Sequence, residues 1–200
     1  EAWIYDENGW PSGFVGGKLL ENEEFRARFL EYSAGEYDPA AFAVFVRHGN
    51  GFARVESVRP GVSEYHNVYL RVSPANTDIL NPAVTDAFIA ETHEKYYERF
   101  KGSFGKELAG FFTDEPQYYR WATPYTPVAE REFAARGEDI RDGLIWLFEK
   151  GEGGYAFRER YFGTLNRLYV QNFYKKLYDW CESHGCRLTG HSVEESLLFG

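Results

Sequence analysis

The chain of 200 residues has no methionine, two cysteines, and no apolar run near the roughly 18 residues needed to span a bilayer. It also lacks any Lys/Arg-rich run, and its formal net charge is −9. Counterion-release binding to nucleic acid needs clustered cations, so DNA, RNA and anionic membrane surfaces are not expected partners. No Gly-rich phosphate loop follows a strand-like run, and neither a GxSxG elbow nor HExxH is present. Nucleotide-dependent, serine-nucleophile and zincin chemistries are therefore without their signatures. The two cysteines stand in WCESHGC, and CxxxxC is not a usual zinc or redox spacing. They read as two small buried thiols around a helix end, with a disulfide as the alternative. The sequence starts on a strand-like WIYDE and stops after SLLFG, which reads as a piece of something longer.

What is present is aromatic and acidic. Fifteen Tyr, 17 Phe and 5 Trp exceed what an ordinary core of this size needs, and flat rings also stack on the apolar faces of sugars. With 44% hydrophobic and 26% charged residues the chain has enough apolar material for one sizeable core. Residues 2–5 predict a short strand followed by a loop broken at Gly9, Pro11 and Gly13. Leu19, Leu20, Phe25, Phe29 and Leu30 give a partial helical face, predicting a helix over 21–33. AFAVFVRHGNGFARVE predicts a hairpin turning at HGNG, with His48 a solvated turn residue and VYLRVSP a third strand.

From residue 78 onward the pattern alternates. DILN predicts a strand, and Asn81-Pro82 the cap and first residue of a helix running to about 101, with His93 a surface or packing residue within it. LAGFFTD predicts the next strand. Helices are expected over 127–150 and, more clearly, 157–183, where Tyr161, Leu165, Leu168, Phe173, Leu177 and Trp180 step by threes and fours up to Gly185. RLTGH is a last strand. Alternating strands and helices imply a parallel sheet with crossover helices. Each strand ends in polar, chemically capable residues, as in a (β/α)8 TIM-type barrel, which collects its functional groups there. A whole barrel needs about 250 residues. The expected fold is therefore about the N-terminal half of such a barrel: one incomplete domain over 1–200 with a small antiparallel insertion at 40–73.

Three clusters carry chemistry. Asp114-Glu115 closes the apolar run GFFT, and Pro116 ends the ladder; strand alternation lets only one of the two carboxylates face a cleft, taken to be Glu115. A carboxylic acid among Phe111, Phe112, Tyr118 and Tyr119 suits the general acid of glycosidic cleavage, whereas pairing with Arg120 or helix capping is the purely structural use. His191-x-x-Glu194-Glu195 can bind a sugar hydroxyl, position an acid or, more weakly, ligate a metal. Asp6-Glu7 beside Trp10 suits a sugar subsite, the carboxylates accepting hydroxyls and the indole stacking; a self-capped loop is the alternative.

WIYDENGWPSGFVGG, DILNPAVTDAF, GFFTDEPQ and LTGHSVEESLLFG together resemble the catalytic barrel of bacterial proteins related to glycoside hydrolase family 106, the α-L-rhamnosidases. The resemblance covers most of the chain and is weakest at 36–75. It implies Glu115 as general acid with Asp114 its neighbour, and His191 and Glu194 at the sugar subsite. It also implies an exported protein, extracellular or periplasmic, in which the rest of the barrel and flanking β-sandwich domains accompany this piece. A divalent cation such as calcium enters by resemblance only; the residues themselves assign neither cofactor nor metal ligands. The expected activity is hydrolysis of a glycosidic bond in a plant or microbial polysaccharide, with Glu115 and Glu194 catalytic and Asp6, Glu7, Trp10, Asp114, Tyr118, His191 and Glu195 binding substrate. The fragment alone is expected to be inactive. A carbohydrate-binding piece without catalysis is the alternative, and a metal-dependent hydrolase or isomerase using His191 and Glu194 a third.

Overall fold

The computed structural model describes residues 1–118 and 122–192. In chain order the elements are β1 (Ala2–Tyr5), β2 (Arg26–Gly35), β3 (Ala43–His48), β4 (Gly51–Val55), β5 (Tyr65–Thr77), α1 (Pro82–Phe88), α2 (Glu94–Phe100), β6 (Leu108–Asp114), β7 (Thr123–Tyr125), α3 (Pro127–Ala134), α4 (Gly154–Tyr169), α5 (Lys175–Ser183) and β8 (Arg187–His191). They fall into two compact units. One comprises Glu1–Ala27, Ser73–Arg120 and Leu168–Gly200, the other Arg28–Val72 and Trp121–Arg167.

The first unit is built on a three-stranded parallel sheet in the order β1-β6-β8. Ile4 lies opposite Phe111 and Tyr5 opposite Phe112, while Phe112 faces Thr189 and Asp114 faces His191. Period-two alternation sends Ile4, Phe111 and Leu188 to one face, where they pack with Phe104, Trp180, Cys181 and Cys186. Trp3 and Tyr5 stand exposed on the other face. Both cysteines are free buried thiols that hydrogen-bond to each other. Gly110 and Gly190 permit the close β6–β8 approach: a Cβ would fall 1.8 Å from the Arg187 carbonyl oxygen at the first and 1.8 Å from that of Thr113 at the second.

The α1–α2 rod and α5 pack against the inner face of this sheet through Ile89, Tyr97, Trp180 and Cys181, and a π turn interrupts each helical run. α1 begins at Pro82, with the Asn81 side chain accepting the Ala83 N–H, as expected of an N-cap. It passes through a π turn at Ile89–His93 into α2. α4 passes through a second, Val170–Tyr174, into α5, which stops before Gly185 (φ +66°). A π turn aligns residues five apart. Phe88 and His93 accordingly meet edge to face at 5.2 Å, and Tyr169 and Tyr174 at 5.0 Å.

The second unit holds a five-stranded antiparallel sheet in the order β4-β3-β5-β2-β7. The expected hairpin joins β3 to β4 with His48 opposite Gly51, and His48 is exposed. Val44, Val55 and Tyr65 form one core cluster of this unit. Phe133 stacks obliquely on Phe157 and Tyr161, whose hydroxyl donates to the Pro124 carbonyl at 2.6 Å.

These sheets correct the half-barrel expectation. There are three parallel strands and five antiparallel ones, and the antiparallel sheet is no small insertion at 40–73, since it also takes in 26–35 and 123–125. Three local readings fail for identifiable reasons. Residues 21–33 form short 3-10 turns and then β2, because Arg28, Phe29 and Leu30 find partners in Tyr125, Pro124 and Thr123; cross-strand pairing overrides a partial helical face. DILN is a turn whose Ile79 and Leu80 are buried without a strand, so β1 pairs directly with β6. The expected helix over 127–150 divides at Gly137 (φ +79°) into α3 and a 3-10 stretch, Ile140–Leu147.

The closeness of the β6–β8 ladder is testable. Gly110→Ala should lower unfolding free energy by about 3 kcal/mol, the upper range for overpacking, because the obstructing atom is backbone and cannot rotate away. Chemical denaturation of the variant beside the parent measures it.

Candidate functional site

The ends of the three parallel strands gather the acidic and aromatic groups. β6 ends at Asp114, half-buried on the same face as Tyr5. The Tyr5 hydroxyl donates to Asp114 Oδ2 at 2.7 Å, and His191 Nδ1 lies 3.5 Å from Oδ1. Partial desolvation, the bond to Asp114 and the neighbouring carboxylates raise the Tyr5 phenol, so it remains a donor across the working pH range. Glu115 leaves the strand in the left-handed region (φ +43°), a conformation that non-glycine residues rarely adopt and that marks functional sites more often than chance. Its N–H still donates to the His191 carbonyl, and its Oε2 accepts the Trp10 indole N–H at 2.9 Å.

Alternation thus gives the open sheet face to Asp114, while Glu115 is turned out by its own backbone. Beside them Trp3, Tyr5, Phe112 and Thr189 line an open depression of about 530 Å³. The Tyr5 and Phe112 rings stack at 5.9 Å, and His191 meets Phe112 edge-on at 5.1 Å. Trp10 and His191 are exposed. Flat rings next to carboxylates and an imidazole can hold a polyhydroxylated ring by stacking on one side and hydrogen bonding at its edge.

The other acidic pair is used differently. Glu7 is buried, and its two oxygens accept the backbone N–H groups of Asn8, Phe14, Val15 and Gly16 at 2.6–3.0 Å. It organises the loop after β1 from within. Asp6 is also buried, and its Oδ1 accepts the Ser12 hydroxyl at 2.7 Å. Ser12 then clasps Asp114: its hydroxyl accepts the Asp114 N–H at 2.8 Å and its own N–H donates to the Asp114 carbonyl at 2.9 Å. Burial pushes the Asp6 carboxyl up to about 7, with the Ser12 hydrogen bond opposing and the Glu7 and Asp114 charges adding to the rise.

Of the expected site residues, Asp6, Glu7, Trp10, Asp114, Glu115 and His191 come together at the strand ends. Tyr118 does not share that face: it packs on Tyr169 at 5.0 Å, against the cluster around Phe88 and Phe173. Glu194 and Glu195 lie outside the described residues. Three contributors escaped the sequence reading. Tyr5 was findable, since alternation puts it with Trp3 and opposite Phe112; Ser12 carried no signal. His93, expected as a surface or packing residue, is fully buried, with its ring 4.2 Å from that of Phe111.

Among the described residues no group of three or more His, Cys, Asp and Glu is placed to hold a metal ion. Asp6 and Glu7 are committed to Ser12 and to the loop amides. No described helix is long and apolar enough to cross a membrane. No protein-family model, curated protein or solved structure matches the chain.

The internal use of Glu7 predicts a structural phenotype. Glu7→Ala should remove about 3 kcal/mol, because four buried or half-buried N–H groups lose a charged acceptor. Hydrogen exchange should accelerate most at the amides of Phe14, Val15 and Gly16. A variant with parental exchange there would mean that the carboxylate is not what holds the loop.

Proposed function

We propose that the chain carries the acid–base site of a bacterial, exported glycoside hydrolase acting on plant or microbial polysaccharide, α-L-rhamnosides being the class suggested by its resemblance to family 106. The observation that carries this reading is the pairing of Asp114 and Glu115 with Tyr5, Trp10 and His191 at one set of strand ends, beside an exposed aromatic face. In this reading Glu115, held by the Trp10 indole, gives its proton to the leaving oxygen as the glycosidic C–O bond breaks. Asp114, bonded by Tyr5 and next to His191, orients the ring hydroxyls. Water attacks the anomeric carbon and loses its proton to a second carboxylate, for which Glu194 is the candidate; the separation of the two carboxyl groups sets inversion or retention. Stacking on Trp3, Tyr5 or Trp10 supplies binding that is insensitive to the chemistry.

A second reading, saccharide binding without turnover, draws support from the same rings: Trp3, Tyr5 and Trp10 are each 40–42% exposed, more than a core requires. The two separate in the intact protein. Glu115→Gln should lower kcat at least about 100-fold on an aryl glycoside with a poor leaving group, and far less on one with a good leaving group, which needs little proton donation. An unchanged rate on the poor substrate refutes Glu115 as the acid. Calorimetric binding of the same oligosaccharide, with no hydrolysis by the parent, decides for the binding reading.

A further inference from the structure

Beneath the strand ends Asp6 and His93 face each other, with both side chains fully buried. Asp6 Oδ2 lies 3.7 Å from His93 Nε2. Oδ2 and both ring nitrogens make no hydrogen bond of normal length among the described residues, although the Thr113 hydroxyl lies close enough to Asp6 to oppose the rise of its carboxyl. Phe111, Phe88 and Trp180 enclose the imidazole at centroid distances of 4.2, 5.2 and 5.3 Å. A carboxylate and an imidazolium in such a box would both lose hydration, and two orphaned acceptors would be as costly as two unmade bonds. One proton on the carboxyl leaves both groups uncharged, and a small approach from 3.7 Å would let Oδ2–H donate to Nε2.

We propose that Asp6 and His93 form a neutral buried pair, with the proton on Asp6 directed at His93 Nε2, and that this pair, through Ser12, positions the backbone of Asp114. The relay runs from His93 to the Asp6 carboxyl, from Asp6 Oδ1 to the Ser12 hydroxyl, and from Ser12 to both backbone groups of Asp114. Asp6 and His93 are positioning residues, and their role for a substrate rests on the glycosidase reading; the neutral pair does not. The titratable groups facing it are Tyr5 and Glu7 on either side of Asp6, Asp114 on β6 and Cys181 on α5; Glu94, next to His93, is taken by the Trp180 indole. Glu7 and Asp114 both disfavour a charge on Asp6, while Lys95 and Glu91, which line the recess beside it, are paired with each other.

The linkage has an unusual signature. Asp6 rises from 3.8 to about 7 on folding, so the stability it contributes is full at low pH and is lost as pH climbs through 7. His93 falls from 6.5 to about 3, again through burial, so its contribution is full at high pH and is lost as pH drops from 6.5 towards 3. Between about pH 4 and 6.5 the folded chain keeps one proton on Asp6 and the unfolded chain one on His93. The numbers match, so the pair imposes no pH slope.

Removing either partner exposes the other. Asp6→Asn leaves His93 alone, and the unfolding equilibrium constant should fall as pH rises from 4 to 6.5, by up to about tenfold per pH unit relative to the parent. His93→Phe should give the opposite trend, and the double variant should be flat again. Single variants that track the parent across this range overturn the pair. Should a variant fail to fold, NMR of the parent decides: the Asp6 carboxyl carbon should show the protonated shift at pH 5 and the His93 ring should stay neutral to pH 4, whereas an ionised Asp6 at pH 5 refutes the proposal. Ser12→Ala should move the Asp6 titration upward and speed exchange of the Asp114 amide; exchange at the parental rate would break the link to the site. None of these readings requires turnover, so loss of the glycosidase reading would leave them intact, and failure here would leave Glu115→Gln as informative as before.

Discussion

The central position of β6 governs everything at the strand ends. Parallel pairing on both edges fixes its register to β1 and β8, and with it which side chains share a face. Phe111 and Thr113 go inward, Phe112 and Asp114 outward. Phe111 is fully buried among Phe104, Trp180 and His93, so a one-residue slip would bring Phe112 and Asp114 into that aromatic box. The apolar alternation of the strand therefore determines the placement of its carboxylate. Fit at Gly110 and Gly190 is part of the same constraint, because the ladder tolerates no side chain there.

The loop after β1 is the second structural commitment, and it explains how one acidic dipeptide serves two ends. Glu7 draws the backbone of Phe14, Val15 and Gly16 around its carboxylate, a concave ring of amides of the kind that holds anions. That closure brings Ser12 to Asp114 and the Trp10 indole to Glu115. The Asp6-Glu7 pair, which reads from spacing as a sugar subsite, is here the interior scaffold of the strand-end cluster. The groups left facing outward are those it supports.

Much of this was legible in the sequence, and the parts that were not share a cause. β1, β6, β8, the β3–β4 hairpin and the Asn81-Pro82 cap follow from local alternation and turn chemistry. The convergence of Asp6, Trp10, Asp114, Glu115 and His191 follows from strand ends in a parallel sheet. β2 was read as a helix because its partner, Thr123–Tyr125, lies about ninety residues away and includes a proline that lowers its own strand signal. The architecture failed with it, since DILN loses its strand and the sheet closes on three. His93, expected as a surface or packing residue, is a packing one: the π turn sets it against Phe88, five positions back, with its ring on Phe111. Pair geometry such as Ser12 with Asp114 has no sequence pattern.

Four carboxylates at the ends of two adjacent strands raise an electrostatic problem in a chain that already carries a net charge of −9. Each has a different solution. Glu7 is satisfied by backbone dipoles. Asp114 takes a phenol and has an imidazole nearby, and Glu115 takes an indole N–H. Asp6 has the Ser12 hydroxyl, the nearby Thr113 hydroxyl and the His93 ring, and for it protonation is the proposed route. The division follows burial. The two carboxylates on the inner side are provided for by the protein itself, Glu7 by amide dipoles and Asp6 by the proposed protonation. On the outer side Asp114 accepts a hydrogen bond from Tyr5 and Glu115 one from Trp10, neutral donors that an incoming hydroxyl can replace. A ligand rich in hydroxyls and poor in charge can exchange with Tyr5 and Trp10 at little electrostatic cost, whereas an anion would meet all four at once. That asymmetry, more than the count of acidic residues, is what makes this face compatible with the neutral, hydroxyl-rich ligand of the proposed reading.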